Sequence, residues 1–277
     1  MQEARVRLLW TGGWDSTFRL LCLLSRENVH IAPYYLLRDK RESTSVELAT
    51  MERIRLALRK VFPDSDVRLA PTEFCNVDTL AQDPDITSAY ERTLERSFLG
   101  RQYEWLAWFC TQDGIDEIEL CVHRDDKAHA VLAPFTMEVE RAAGPTHVFD
   151  PRAAGRSEKS TDLHRLFRFF SFPVFETTKR EMAEQARANG WDEIMGMTWF
   201  CHSPRRNAQP CGVCHPCLYT IEEGLAWRLP RSSRIRSALF RTCLLPFRTP
   251  IVFVLETLGL RRKETPLTAS GPGSASL

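Results

Sequence analysis

Cys201, Cys211, Cys214 and Cys217 fall within seventeen residues, in the run Cys-His-Ser-Pro-Arg-Arg-Asn-Ala-Gln-Pro-Cys-Gly-Val-Cys-His-Pro-Cys. Three cysteines at two-residue gaps, with a fourth nine residues upstream, can turn their sulfurs onto one tetrahedral ion. Gly212 gives the backbone the freedom such a tight turn needs. Thiolates suit zinc or an iron–sulfur cluster. No redox partner motif occurs elsewhere in the chain, so zinc is expected. The alternative is a set of unpaired thiols or disulfides. His202 and His215 adjoin ligand positions, but four cysteines already fill a closed site. A catalytic zinc keeps one position open, so this one reads as structural.

A second set of residues lies near the N-terminus, in Leu8-Leu9-Trp10-Thr11-Gly12-Gly13-Trp14-Asp15-Ser16-Thr17. The apolar residues before Thr11 read as a strand, the glycines as a sharp turn, and the residues from Asp15 on as a helix start. Amides of such a turn point at one spot and suit a phosphate or pyrophosphate. Thr11, Ser16 and Thr17 add hydroxyls. No lysine follows the glycines, so this is not a Walker loop, and the dinucleotide Gly-x-Gly-x-x-Gly spacing is missing. Two adjacent glycines alone mark only a turn; their place after the first strand is what makes them a candidate anion site.

The surrounding elements must hold these two sets in place. Val6–Trp10, Ile31–Leu37, Ile118–Val122 and His147–Phe149 are expected strands. Phe18–Leu24 and a continuous stretch from Thr87 to Cys110 are expected helices. Thr44 with Glu47, and Thr178 with Glu181, have capping-box spacing, and Asn189-Gly190 is a helix stop. Strands alternating with helices predict an α/β fold, a Rossmann-like parallel sheet with helices on both faces and a small four-cysteine zinc-binding subregion.

Thr11-Gly12-Gly13-Trp14-Asp15-Ser16 resembles the Ser-Gly-Gly-x-Asp-Ser motif of the PP-loop ATP pyrophosphatases, of the adenine nucleotide alpha-hydrolase type. Those enzymes cleave ATP between its α- and β-phosphates to adenylate an oxygen of the substrate. The cysteine pattern narrows the resemblance to the 7-cyano-7-deazaguanine synthases. Pro173–Glu181 is similar to that family's Pro-Leu…Thr-Lys-x-Glu segment, and Thr198-Trp199-Phe200-Cys201 to its Thr-Trp-Ser-Cys approach to the metal. Phe98–Gln102 stands where the family has Val-Pro-x-Arg-Asn. The resemblance covers roughly residues 5 to 227.

It implies that Gly12, Gly13, Asp15, Ser16 and Thr17 hold the phosphates of ATP and Mg2+. It also implies that Lys179 and Arg101 neutralise phosphate charge. A lysine in a helix's first turn opposes the helix dipole, which favours a functional reading of Lys179; Arg101 could equally be a surface ion pair. The family's deazapurine-holding loop here reads His123-Arg124-Asp125-Asp126-Lys127-Ala128-His129. Asp125 or Asp126 could bind a ring edge or magnesium, or could simply be solvated. The implied reaction activates a carboxylate, and then an amide, with ATP; ammonia attacks the first adenylate, and the substrate is purine-like. A rival is another PP-loop adenylating enzyme that thiolates tRNA or modifies a protein or sugar. A rival of another class is a non-catalytic zinc module that binds nucleic acid, which the intact nucleotide motif disfavours.

At 277 residues with 43% apolar and 26% charged composition, the chain can bury a sizeable core. Nine cysteines and no recognisable leader before Arg7 lead to the expectation of a reducing, cytoplasmic setting. The net charge of +1 hides an uneven split, because from Arg228 onward there are nine basic and two acidic residues. The expected organisation is a PP-loop domain over 1–227 with its zinc site at 198–220, a basic amphipathic extension over 228–264, and a low-complexity disordered tail over 265–277. The longest unbroken apolar run of the extension, Ile251 to Leu255, is too short to span a bilayer. It could pack on the domain or on a second copy in a homodimer, lie on an anionic membrane surface, or pair with RNA; packing is the preferred expectation.

Overall fold

Val29–Leu37 is apolar along almost its whole length, as a strand covered on both faces must be. It lies beside the first strand inside a seven-stranded sheet. The computed structural model describes residues 4–39 and 41–244. Its strands are β1 (Ala4–Leu9), β2 (Val29–Leu37), β3 (Glu73–Asn76), β4 (Ile118–Glu119), β5 (Thr136–Val139), β6 (Thr146–Phe149) and β7 (Phe170–Phe172). The sheet order is β3-β2-β1-β4-β7-β6-β5. β3, β2, β1, β4 and β7 run parallel, while β6 is antiparallel to β7 and β5 to β6. The expected α/β sheet is present, with an antiparallel hairpin added at one edge.

The helices are α1 (Trp14–Leu24), α2 (Thr44–Val61), α3 (Ser65–Arg68), α4 (Pro84–Arg96), α5 (Gln102–Gln112), α6 (Lys127–Leu132), α7 (Glu158–Phe167), α8 (Lys179–Ala188), α9 (Asp192–Met197), α10 (His215–Glu222) and α11 (Arg231–Leu239). They divide the core in two. Leu20, Leu21, Ile54, Leu58, Met182 and Ile194 pack on one face of the sheet. Leu106, Phe109, Leu163, Phe167, Phe170 and Phe172 pack on the other. Between the two, Arg19 of α1 forms a buried two-pronged pair with Glu119 of β4, at 2.8 and 2.5 Å, and fixes α1 against that strand.

Several sequence expectations are corrected. The stretch from Thr87 to Cys110 is two helices, broken at Ser97–Arg101; Asp83 caps the first by accepting from the amides of Asp85 and Ile86. The strand expected over Ile118–Val122 has only two residues in ladder register. Thr44 and Glu47 do not make a capping box. Ser43 is the N-cap, and Glu47 turns inward to accept from the Ser43 hydroxyl, the Tyr35 hydroxyl and Arg41.

The second box is formed as expected: Thr178 Oγ1 accepts from the amide of Glu181, and Glu181 accepts from the amide of Thr178 at 2.7 Å. Thr178→Ala is therefore expected to lower stability by about 1 kcal/mol, read as a reduced urea midpoint at an unchanged denaturant slope. Among the described residues no helix is long and apolar enough to cross a membrane. The segment from 245 on, including the 265–277 tail and most of the apolar extension, lies outside the described residues.

Candidate functional site

The chain runs from β1 outward to β2 and β3, then returns to the other side of β1 to lay down β4. Connections therefore leave β1 and β4 in opposite directions and open a crevice at the carboxyl ends of these strands, where open α/β sheets bind ligands. The Gly12-Gly13 turn follows β1. Gly12 has φ +68, a left-handed conformation, and a side chain there would meet Met51 Cγ at 3.1 Å. Gly13 has φ −78 and ψ 170, open to any residue, so the conformational demand rests on Gly12 rather than Gly13. A Cβ on Gly13 would instead point at Thr11 Oγ1 and the carbonyl of Trp199. Gly13 is the N-cap of α1 and supplies no side chain to its first-turn amides, which leaves that helix end suited to an anion.

Of the three hydroxyl residues, Thr11 is exposed and Ser16 is buried. Thr17 is fully buried, and its hydroxyl accepts from the Trp10 indole at 3.1 Å, so it serves the core beneath the loop.

Charged groups from four other segments meet Asp15 here. His123, after β4, brings Nε2 to 3.8 Å from Asp15 Oδ1. That oxygen is buried and has no hydrogen-bond partner. Asp125 Oδ2 accepts from the Lys179 amide at the start of α8 at 3.0 Å. Lys179 Nζ reaches both carboxylate oxygens of Glu223, at 2.9 and 3.0 Å. Burial opposes the charge on Lys179, but Asp15 and Glu223 outweigh it and hold the ammonium above the usual lysine range. Burial likewise pushes the Glu223 carboxyl up, with Lys179 partly offsetting it. Arg228 completes the group: burial pushes its guanidinium down to about 10, against the pull of Asp15 and Glu223, and it remains charged at neutral pH.

Arg101 lies apart from this set. Its side chain is 74% exposed and pairs with Glu104 at 3.3 Å, the surface geometry left open as its alternative. The nearby Phe98 is exposed and carries Lys127 Nζ 5.0 Å above its ring; the same ammonium lies 5.9 Å from the ring of Tyr219. Asp126 is the N-cap of α6, accepting from the Ala128 amide, and is thereby committed to the helix.

Glu223 and Arg228 were not legible as site residues. Glu223 belongs to no motif spacing, and Arg228 counts by sequence as the first residue of the basic extension. Only the path of α10 from the cysteines back to the sheet brings them in.

The four cysteines do converge, all their Sγ atoms lying within 4.8 Å of one another. Cys214 Sγ is 3.8 Å from that of Cys201 and 3.4 Å from that of Cys217, and Cys211 and Cys217 are 3.9 Å apart. Four ligands at about 2.3 Å from one tetrahedral zinc would stand about 3.8 Å from each other, so the donor set fits a single ion. Cysteines that each hold a different iron of a cluster would stand farther apart.

Main-chain amides of Cys211, Gly212, Val213 and Cys214 donate to these sulfurs, as a thiolate set requires. Gly212 has φ +88, and a side chain there would lie 2.3 Å from the carbonyl of Ser233. That contact comes from α11, whose Ser233 and Arg236 donate to the carbonyls of Pro210 and Cys211. The first part of the basic extension thus packs on the cysteine loop.

Fold and site together define an α/β protein with an anion-ready loop at its switch point and a four-thiolate knuckle beside it. No protein-family model and no curated protein matches the chain. Among solved structures it is similar to a U34-tRNA thiolase, NcsA, from Methanococcus maripaludis, described with its 4Fe–4S cluster. The identity is 14%, the match covers 100% of this chain and 79% of that one, and the TM-score is 0.38. It is also similar to a 4-thiouridine synthetase described in complex with RNA and bound ATP, at 14% identity and a TM-score of 0.34, over 86% of this chain and 54% of that one. Likeness at this level carries no argument about activity.

Proposed function

We propose that the chain is a PP-loop ATP pyrophosphatase that adenylates an oxygen of its substrate and releases pyrophosphate. The observation that carries this reading is the convergence at the switch point. An anion-ready helix start, a buried partnerless carboxylate oxygen on Asp15, and the Lys179 ammonium meet at the carboxyl ends of β1, β4 and β7. A bound Mg2+ would supply charge to the phosphate oxygens, and Asp15 Oδ1 is the ligand this chain offers it. The amides from Trp14 onward orient the phosphates, and Lys179 leaves Glu223 for the charge that gathers on pyrophosphate. The acceptor oxygen attacks the α-phosphorus, the bond to the bridging oxygen breaks, and pyrophosphate departs. The protein contributes positioning and fixed charge. The four cysteines hold one zinc in a structural role.

For the acceptor, Phe98, Tyr219 and Lys127 offer two rings and a cation, which suits a planar substrate with an acid function. With a carboxylate acceptor, ammonia attacks the acyl adenylate, AMP leaves, and an amide forms; a second round on the amide oxygen gives a nitrile, as in 7-cyano-7-deazaguanine synthesis. The second reading is thiolation of RNA. The two named neighbours are a tRNA thiolase and a 4-thiouridine synthetase, at a likeness that carries no argument between the branches. Three of the cysteines outside the knuckle fit thiolation poorly: burial pushes the Cys22 thiol up to about 11 and that of Cys110 to about 12, and raises Cys121 well above the usual range. A sulfur carrier needs a thiolate at neutral pH.

Incubation with ATP, ammonia and 7-carboxy-7-deazaguanine, followed by mass spectrometry, separates nitrile, amide and unreacted acid. A parallel incubation with tRNA and a sulfide source tests thiolation. Asp15→Asn is expected to cut pyrophosphate release by at least about 100-fold, the usual scale for removing one electrostatic group from such a site. Release at the wild-type rate in that variant would take the loop out of the mechanism.

A further inference from the structure

Arg228 lies where the cysteine knuckle, the segment leading into it and the nucleotide loop meet. Its guanidinium is 4.6 Å from the ring of Trp14, the first residue of α1, and 4.7 Å from that of Phe200. Nη2 donates to the Thr198 carbonyl at 2.8 Å and to Thr198 Oγ1 at 2.5 Å. Thr198 in turn donates its hydroxyl to the carbonyl of Met195, at the end of α9. One residue on, the amide of Trp199 donates to the carbonyl of Gly12 at 2.9 Å, and this bond runs straight into the left-handed turn of the loop. The Trp199 indole donates to the carbonyl of Cys201, the first residue of the metal set. Arg228 therefore stands behind the loop from two sides, on the Trp14 ring directly and on Gly12 through Thr198–Trp199.

We propose that Arg228 is a positioning residue of the nucleotide loop: it clamps the Thr198–Phe200 segment against the Gly12–Trp14 turn, so that the loop amides are set before ATP arrives. This rests on the reading that the loop binds ATP.

The physical case is one of geometry and charge. A planar guanidinium can stack on two rings and fork to two oxygens at once, which a lysine cannot. Its positive charge lies among Asp15, Glu223 and Lys179, so its field also favours the phosphate anion. The contact reaches the loop from behind, where no substrate group needs to touch it. Its loss should weaken ATP binding more than it slows the step that follows.

The test uses the full chain with its metal in place and two independent readouts. The first is hydrogen–deuterium exchange of the peptide spanning residues 11–17 without nucleotide; the second is calorimetric affinity for Mg·ATP. Arg228→Met keeps most of the side-chain volume and removes the fork and the charge. It is expected to speed exchange in that peptide and weaken ATP binding roughly ten- to a hundredfold, the range for losing hydrogen bonds from a charged donor. Arg228→Lys should fail to restore slow exchange. Thr198→Val, which removes one acceptor and keeps the carbonyl, should give a smaller change of the same sign, and it decides the matter should Arg228→Met lose metal or solubility.

Unchanged exchange and unchanged affinity in a metal-replete Arg228→Met protein would overturn the proposal, as would full rescue by lysine. A wild type that binds no ATP, yet shows the exchange change on substitution, would remove the ATP reading and keep the clamp.

Discussion

Cys214→Ser is expected to release the metal and to leave the chain poorly soluble. The apolar cluster around the knuckle is small: Cys201, Cys217 and Leu229 are its buried members, with Trp199, Phe200 and Ile221 packed at its edge. Such a subregion cannot hold a loop of seventeen residues by burial alone. A zinc held by the four cysteines would supply what the core lacks, since a structural zinc bound by thiolates contributes on the order of 10 kcal/mol to folding. The damage should spread, because Arg236 and Ser233 of α11 hold the same loop and Arg228 links Thr198 and Phe200, just before it, to the Trp14 ring. Metal analysis of the purified wild type should find one zinc per chain. Cys75→Ser, outside the knuckle, should keep it. Absence of zinc from the wild type, or full retention in a Cys211/Cys214 double serine variant, would remove the assignment; iron and sulfide in its place would turn it into a cluster.

The parts of this molecule that sequence made legible are those where a local rule decides the outcome. β2 is apolar along nearly its whole length, and β1 alternates exposed Arg5 and Arg7 with buried Val6 and Leu8, so their patterns identified them. The Thr178 box announced α8, and the cysteine spacing announced convergence. Expectations failed where a side chain had a better partner elsewhere. Glu47 has capping-box spacing from Thr44, yet Tyr35, Ser43 and Arg41 claim its carboxylate from the far side. Pro84 and Asp83 start a helix that the apolar pattern alone placed at Thr87.

β3, β5 and β7 are three or four residues long, too short for their pattern to show. The site divides in the same way. Gly12, Gly13, Asp15 and Lys179 sit at element ends that the sequence marks, and two of the parallel strands, β1 and β7, deliver them. Glu223 and Arg228 arrive by tertiary routing through the knuckle, and charge counting had put Arg228 in a tail.

Substitution of the two glycines should impair turnover for two different reasons, and the pair separates strain from obstruction. Gly12 is held at φ +68, and a Cβ there would lie 3.1 Å from Met51 Cγ. Gly12→Ala therefore carries a left-handed penalty of about 1–2 kcal/mol, and the turn must shift to relieve it. That shift pulls on the Trp199 amide bonded to the Gly12 carbonyl. Gly12→Ala is thus expected to lower thermal stability and ATP turnover together.

Gly13 is extended at φ −78 and accepts a side chain without backbone strain. Its Cβ would nevertheless point toward Thr11 Oγ1, 3.2 Å away, at the mouth of the uncapped helix. Gly13→Val should leave the thermal midpoint close to the wild-type value and bring pyrophosphate release to background, because the branched side chain fills the space where phosphate meets the amides. Gly13→Ala, which adds only the Cβ, should fall between the two activities at wild-type stability. Wild-type pyrophosphate release from folded Gly13→Val would mean that the anion binds elsewhere. Loss of folding in Gly13→Val with Gly12→Ala unaffected would reverse the roles given to the two residues.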